Sequence, residues 1–310
     1  MLSRKMKILA AAFFTTIALS GNVRADDMPD YKAEAARNLT LADQGNVTAE
    51  NYLAYAYYNG QGVGKDYKEA VKWWRKAAEQ GYAPAQNSLG YAYYNGQGVE
   101  KNETEAFNWW KKAAEQGAAS HQLTLASAYK EGIGVKKNDK EAVSWISKAA
   151  NQGYAPAQSI LGTAYHTGWG VDKDDKLAVQ WWQQASNQGY YPATEAIGDA
   201  YFNGWSVKQD CEVAAIHWKQ ASEQGSHNAD FLLGNLHHEG KCVDKNDNEA
   251  MIWWRQAADQ GHARAQEELG NAYHNGWGVD KNDKEAVKWW KKAAEQGDAD
   301  AQKALKPFEK

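Results

Sequence analysis

Cysteine is scarce in this chain. Two in 310 residues are too few for a scaffold built from disulfides. Neither sign of charge dominates: 35 Lys and Arg stand against 39 Asp and Glu, a formal charge of −4. That leaves no basic footprint for nucleic acid. Beyond residue 25 no run is apolar enough to cross a bilayer, so no stable membrane insertion is expected. Proline (5) and phenylalanine (6) are also rare. Hydrophobic residues make up 43% of the chain, enough for a core, which argues against global disorder. Against these shortages stand 15 Trp and 27 Gly, and both recur periodically.

Residues 1–25, MLSRKMKILAAAFFTTIALSGNVRA, read as an address rather than as fold. Arg4, Lys5 and Lys7 precede an uncharged, mostly apolar stretch from Ile8 to Leu19, and Val23 and Ala25 stand just before Asp26. This is the pattern of a cleavable Sec-type signal peptide. The stretch is too short for an anchor, and no Cys near the cleavage site marks a lipoprotein. Cleavage removes four positive charges and no negative ones, leaving −8. The expected location is the periplasm or the exterior.

The remainder is one repeat without register slips. Glycines at 45, 81, 117, 153, 189, 225, 261 and 297 are each 36 residues apart, and such self-similarity is the signature of an array. Seven full repeats run over 46–297. A second glycine recurs from Gly60 to Gly276, always followed three residues later by valine, Val63 through Val279. Residues 26–45 are expected to form an N-terminal capping helix and 298–310 a C-terminal one, since the ends of a solenoid need polar outer faces.

Within the unit 82–117, Ala85, Leu89, Ala92 and Tyr93 fall at helical spacing and define a first helix, about 82–95. Gly96 and Gly98 break it. Asn102 is the expected N-cap of a second helix, with Glu105 completing a capping box; Asp66/Glu69, Asn138/Glu141, Asn246/Glu249 and Asn282/Glu285 repeat the pair. That helix places Ala106, Trp109, Trp110, Ala113 and Ala114 on one face. Twelve of the tryptophans occupy its paired positions, where His217 and Ile146 are the exceptions; the other three, Trp169, Trp205 and Trp277, lie in the glycine loop. The twelve read as core, because each unit must bury its apolar face on its neighbours.

Ala83-Pro84-Ala85-Gln86, Leu89-Gly90, Tyr93, Gly96-Gln97-Gly98-Val99, Asn102, Ala106, Trp109-Trp110 and Ala113 through Gly117 together resemble the Sel-one-like repeat (SLR) family, a relative of the tetratricopeptide repeats. The resemblance covers 46–297. It implies an all-α fold, a right-handed superhelical solenoid of helix-turn-helix units with a concave inner surface. It also implies a binding or adaptor protein rather than an enzyme, with secreted bacterial members tied to envelope or host interaction. Some cysteine-rich relatives bind or slowly hydrolyse penicillins, which makes a weak β-lactam hydrolase one alternative.

Motifs with catalytic or metal-binding overtones have plainer readings. Ser127-Ala128-Tyr129-Lys130 matches S-x-x-K, but neither K-T-G nor S-D-N accompanies it. Glycine loops such as 60–64 follow a helix rather than a strand, so they are not phosphate cradles. Asp244-Lys245-Asn246-Asp247-Asn248 lacks the Gly and Glu of a calcium loop and reads as a helix cap. No cofactor and no resident metal is expected. Departures from the repeat gather in units five and six: Cys211, His217, His227, His237, His238 and Cys242. The two cysteines lie at the same end of adjacent units. A Cys211–Cys242 disulfide is the expected reading in an oxidising compartment; a metal site with His217 or His237 and free thiols are the alternatives.

In the first helix, the columns of Asn87, Tyr91 and Tyr94 point away from the core columns, toward what the resemblance makes the concave wall. Down the array they supply Tyr55, Tyr58, Tyr91, Tyr94, His166, Phe202, Phe231, His238 and His274. These suit contact with a protein or peptide; packing between helices is the competing reading. Trp169, Trp205 and Trp277 on one rim make a glycan the second partner class.

Overall fold

The computed structural model describes residues 30–308; the signal-like segment 1–25 and its cleavage site lie outside them. The described residues are helical and contain no strand. A lone helix, α1 (Tyr31–Asp43), precedes seven pairs: α2 (Val47–Asn59) and α3 (Tyr67–Glu79), α4 (Ala83–Asn95) and α5 (Glu103–Glu115), α6 (Ala119–Glu131) and α7 (Asp139–Asn151), α8 (Ala155–Thr167) and α9 (Asp175–Ser186), α10 (Tyr191–Asn203) and α11 (Cys211–Glu223), α12 (His227–Glu239) and α13 (Asp247–Asp259), α14 (Ala263–Asn275) and α15 (Asp283–Glu295). A short α16 (Ala299–Leu305) and a 3-10 turn (Lys306–Phe308) close the series. Each helix packs on the next in sequence, so the molecule is an α-solenoid. Among the described residues no helix is long and apolar enough to cross a membrane.

The second helix of each pair starts where the Asn/Asp column puts it. Asn102 Oδ1 accepts from the Glu105 amide (3.0 Å), and Asn138 and Asn282 do the same for α7 and α15. The expected capping box is only half realised. The Asn102 amide, which Glu105 would have received, donates instead to Tyr93 O (2.9 Å), and the Asp66 and Asn138 amides donate likewise to Tyr57 O and Tyr129 O. The loop folds back on its own first helix, and a main-chain carbonyl replaces the glutamate.

At the second loop position the backbone takes a positive φ, which glycine adopts most easily; Ser206 and Cys242 hold it in units five and six, and the fold-back bonds form there too. A Cβ at Gly98, where φ is 73°, would lie 2.0 Å from Tyr67 O, the first residue of the preceding α3. Gly62, Gly134, Gly170 and Gly278 stand in the same way over the residue 31 earlier. Cys242 occupies this position (φ 66°), and Cys211 is the residue 31 before it. The two face each other and are bonded, with Cα atoms 5.8 Å apart. The pair therefore forms a disulfide and is neither a metal site nor two free thiols.

The core is alanine, tryptophan and one leucine or isoleucine from each first helix, such as Leu89, Leu125 and Ile197. Trp110, Trp182 and Trp254 are fully buried, and Trp74, Trp218 and Trp290 nearly so, whereas Trp145, Trp181 and Trp253 from the first position of the pair keep some surface. A helical glycine makes room for the buried indole. A Cβ at Gly90 would lie 2.5 Å from Trp110 Cδ1, and Trp110 Nε1 donates to Asn87 O (3.2 Å). In the third repeat Ala126 stands in the glycine column and Ile146 replaces the tryptophan. In the first, Ala54 faces Trp74, and Trp74 Nε1 has no partner.

A polar ladder runs beside this core. Gln116 Nε2 donates to Gln86 Oε1 (2.8 Å) and to Gly81 O (2.8 Å), while Gln86 Nε2 donates back to Ala78 O (3.1 Å). Gln152 with Gln122 and Gln188 with Gln158 repeat the first link. Gln80, Gln116, Gln152, Gln188, Gln224 and Gln296, each before a terminal glycine, thus bond polar side chains on the first helix of the same unit, as buried polar atoms between close helices require. At the start, Glu50 takes the ladder position, fully buried, held by Gln80 Nε2 (2.7 Å) and Lys76 Nζ (3.2 Å). At the end, Phe308 lies on the rings of Trp290 (5.9 Å) and His274 (6.1 Å).

Candidate functional site

The columns read as a wall come from the first helix of each pair. Their rings rest edge-on or tilted against the buried tryptophan of the same repeat and keep part of their surface. Tyr55 meets Trp74 at 5.3 Å and Tyr91 meets Trp110 at 5.2 Å. Each hydroxyl reaches the next first helix, Tyr55 to Ser88 Oγ (2.7 Å) and Tyr91 to Thr124 Oγ1 (3.4 Å). Burial raises the pKa of both phenols, and these hydrogen bonds oppose the rise. Tyr58, Tyr94, His166, Phe202, His238 and His274 sit 5.2–5.8 Å from the tryptophans at 74, 110, 182, 218, 254 and 290. All are half-buried except His274, which is exposed. Phe231 departs from the set: it is buried and stacked on His262 (4.9 Å), so it offers no open face.

The rim tryptophans are engaged by the preceding repeat. Trp205 lies tilted against His166 at 4.0 Å and Trp277 against His238 at 4.4 Å; Lys130 Nζ lies 5.1 Å from the Trp169 ring. Where the loop residue is Lys241, the partner is Phe202 (5.7 Å). These junctions thus each pair a basic with an aromatic residue 39 positions apart, in a cation–π or tilted ring contact. The histidines are aimed by carboxylates at the start of the second helix. Nδ1 of His166, His238 and His274 donates to Oδ1 of Asp175, Asp247 and Asp283 at 2.6, 2.6 and 2.7 Å.

Two features of the wall escaped the reading of aromatic residues. Asn51 and Asn87 share a column one repeat apart, and the Oδ1 atom of each is buried without a hydrogen-bond partner. An orphan buried acceptor is uncommon and costly; the signal was present as asparagine at the same register in units one and two. Farther along, the wall turns acidic. Asp199, four residues from Glu195 on α10, is pushed up to about 6 by burial and by Glu195, against the opposing effects of the Trp218 Nε1 hydrogen bond (3.0 Å) and His166. Burial likewise raises Glu267 and Glu268.

Seven consecutive segments, 47–82, 83–117, 122–154, 155–190, 192–226, 227–262 and 263–298, match the Sel1 repeat family model. The chain belongs to the Sel1 repeat family. Its fold is similar to that of c5321, a protective antigen present in uropathogenic Escherichia coli strains displaying an SLR fold (38% identity, TM-score 0.72), across 86% of this chain and 58% of the antigen. The chain thus spans under two thirds of that protein. A Sel1 repeat protein from Oxalobacter formigenes is 33% identical with a TM-score of 0.76, covering 92% and 83% of the two chains. Yeast Tom70, 14% identical, shares the fold alone, with a TM-score of 0.53 over 94% of this chain and 64% of its own. No curated protein matches the chain.

Sel1 repeat proteins generally mediate contacts between proteins, and the other motifs of this one serve its architecture. Ser127 Oγ donates to Leu123 O (3.0 Å) within α6, and Lys130 lies over Trp169, so the two are not turned toward each other as a nucleophile and base. Asn246, inside the segment that resembles half a calcium loop, caps α13 by accepting from the Asn248 and Glu249 amides at 3.1 Å. Among the described residues no three His, Cys, Asp or Glu gather as a metal site.

Proposed function

We propose that this Sel1 repeat protein is exported to the periplasm or beyond and holds an extended segment of a partner protein along the wall of its first helices. One observation carries the reading: Asn51 and Asn87, half-buried and one repeat apart among Tyr55, Tyr58, Tyr91 and Tyr94, each hold an Oδ1 that no group among the described residues satisfies and that rotation of the amide about χ2 would turn toward a partner. A segment in polyproline II form rises about 3.1 Å per residue with three residues per turn, so its amides return to the same side about every 9 Å. Packed helices stand about 8–10 Å apart, so every third residue of such a segment would meet the next asparagine. Asn side chains both donate and accept, so they can read a peptide backbone without regard to its sequence, while the tyrosine edges contribute apolar area.

Export is supported by the basic, then apolar, then small-residue pattern of 1–25 and by the Cys211–Cys242 disulfide, which suits an oxidising compartment. The rim tryptophans favour a glycan less, since Trp205 and Trp277 each give a face to a histidine of the preceding repeat. The test is capture of crosslinked partner from cells by the parent protein and by Asn51→Ala with Asn87→Ala. Capture should fall at least ten-fold with the melting temperature unchanged. Undiminished capture would remove the asparagines from the site.

A further inference from the structure

We propose that His262 is an acid-sensitive cap: protonation of its ring releases the first turn of α14 and loosens the junction between the sixth and seventh repeats. The residue preceding each first helix does not cap by default. Tyr82, Ala118, Tyr154 and Tyr190 make no side-chain cap bond, whereas Asn46 and Ser226 accept from the amide three residues on. His262 does so with a ring nitrogen: the Ala265 amide donates to Nδ1 at 3.1 Å. An amide can only donate, so Nδ1 must carry the lone pair and the proton of the neutral ring must sit on Nε2. A second proton has nowhere to go but Nδ1, and it cancels the cap.

The surroundings oppose that proton. Burial acts first to lower the ring's pKa, followed by Arg264 on the same helix and His227 on α12; Asp230 of α12 acts the other way. From α13 the neutral Gln256 reaches Asp230, with Nε2 donating to Oδ1 at 3.1 Å. His262 stacks on Phe231, and the Arg264 guanidinium lies 5.9 Å from that ring. Protonation would thus set two cations against one phenylalanine. Because the folded pKa lies below the ordinary 6.5, the cap contributes fully above that value and is lost as pH falls below it. The site stands at a repeat junction, where a solenoid opens locally when its neighbour contacts weaken. No partner is needed for this effect, so it holds whether or not the wall binds a peptide.

Amide exchange read by NMR on the full mature chain tests it. The reference is Ala229, whose amide is held by the non-titrating Ser226 (3.1 Å). After correction for intrinsic rates, protection at Ala265 should drop about five-fold relative to Ala229 between pH 8 and pH 5, the size of one lost cap. His262→Asn keeps a cap of the kind seen at Asn46 and should abolish the pH dependence. Equal behaviour of Ala265 and Ala229 in the parent would overturn the proposal. So would an unchanged drop in His262→Asn, or an imidazole nitrogen spectrum placing the proton on Nδ1 at pH 8.

Discussion

Replacing Gly90 by alanine should destabilise this protein, against the rule for helix interiors. In an ordinary helix the change gains about 1 kcal/mol, because glycine loses the most backbone entropy on folding. Here the new methyl would stand 2.5 Å from both Cδ1 and Nε1 of Trp110 and 3.1 Å from Ala106 O. Trp110 is fully buried, so the indole can only tilt away and give up its bond to Asn87 O. Overpacking of this kind costs about 1–3 kcal/mol, and stranding a buried donor about 1–3 more. Set against the gain of about 1 kcal/mol, the net loss should be about 1–5 kcal/mol. The first repeat already shows the relaxed outcome, since Ala54 faces a Trp74 whose Nε1 is unpartnered. The third shows the compensated one, Ala126 with Ile146. Trp110→Ile alone should be destabilising, yet its combination with Gly90→Ala should cost less than the two single changes added. Urea denaturation of the four proteins followed by circular dichroism supplies the cycle. A Gly90→Ala protein as stable as the parent, or strictly additive changes, would refute the reasoning.

Reducing the Cys211–Cys242 bond should cost up to about 3.5 kcal/mol on the loop-entropy model for a separation of 31. Cys211→Ser with Cys242→Gly should be more stable than Cys211→Ser with Cys242→Ser by about 1 kcal/mol, because position 242 has φ 66°; denaturation of both pairs decides it. Asp199→Asn copies the residue found at 235 and 271 and retains an acceptor for Trp218. Since Asp199 is raised to about 6, its ionisation opposes folding above that pH and has no effect once it is protonated in both states. The variant should therefore be more stable by about 1–3 kcal/mol at pH 7.5 and equal to the parent below about pH 4, as read by melting across pH. In a double-mutant cycle, His166→Ala and Trp205→Ala should show a coupling of about 0.5–1.5 kcal/mol, which packing on separate neighbours would not give.

The 36-residue glycine register and the Asn/Asp caps made the helix pairs legible, because both features are local. The disulfide was the expected reading of the two cysteines, with a metal site and free thiols as alternatives. What decided it was the seating of a loop glycine over the residue 31 earlier, a close approach that spacing alone does not reveal. The capping box at Asn102 was half right for the same reason: sequence places Glu105 within reach, but only the folded loop brings Tyr93 O closer. The columns proposed as a wall were chosen from helical periodicity, yet periodicity could not tell that Phe231 would be covered by His262 from the following unit. Nor could it pair His166 with Trp205, since that contact is set by how one repeat stacks on the next. The glutamine before the terminal glycine was present in every copy of the unit. It passed unread because a polar column suggests solvent until its partners are seen.

The most direct measurement of the binding wall is site-specific photocrosslinking in living cells. A benzophenone amino acid would replace Tyr91 on the wall in one strain and Asn108, exposed on the second helix of the same repeat, in another. The account predicts adducts from position 91, with mass spectrometry mapping the crosslink to one extended stretch of a partner protein, and none above background from position 108. Adducts from position 108 with none from position 91 would contradict it.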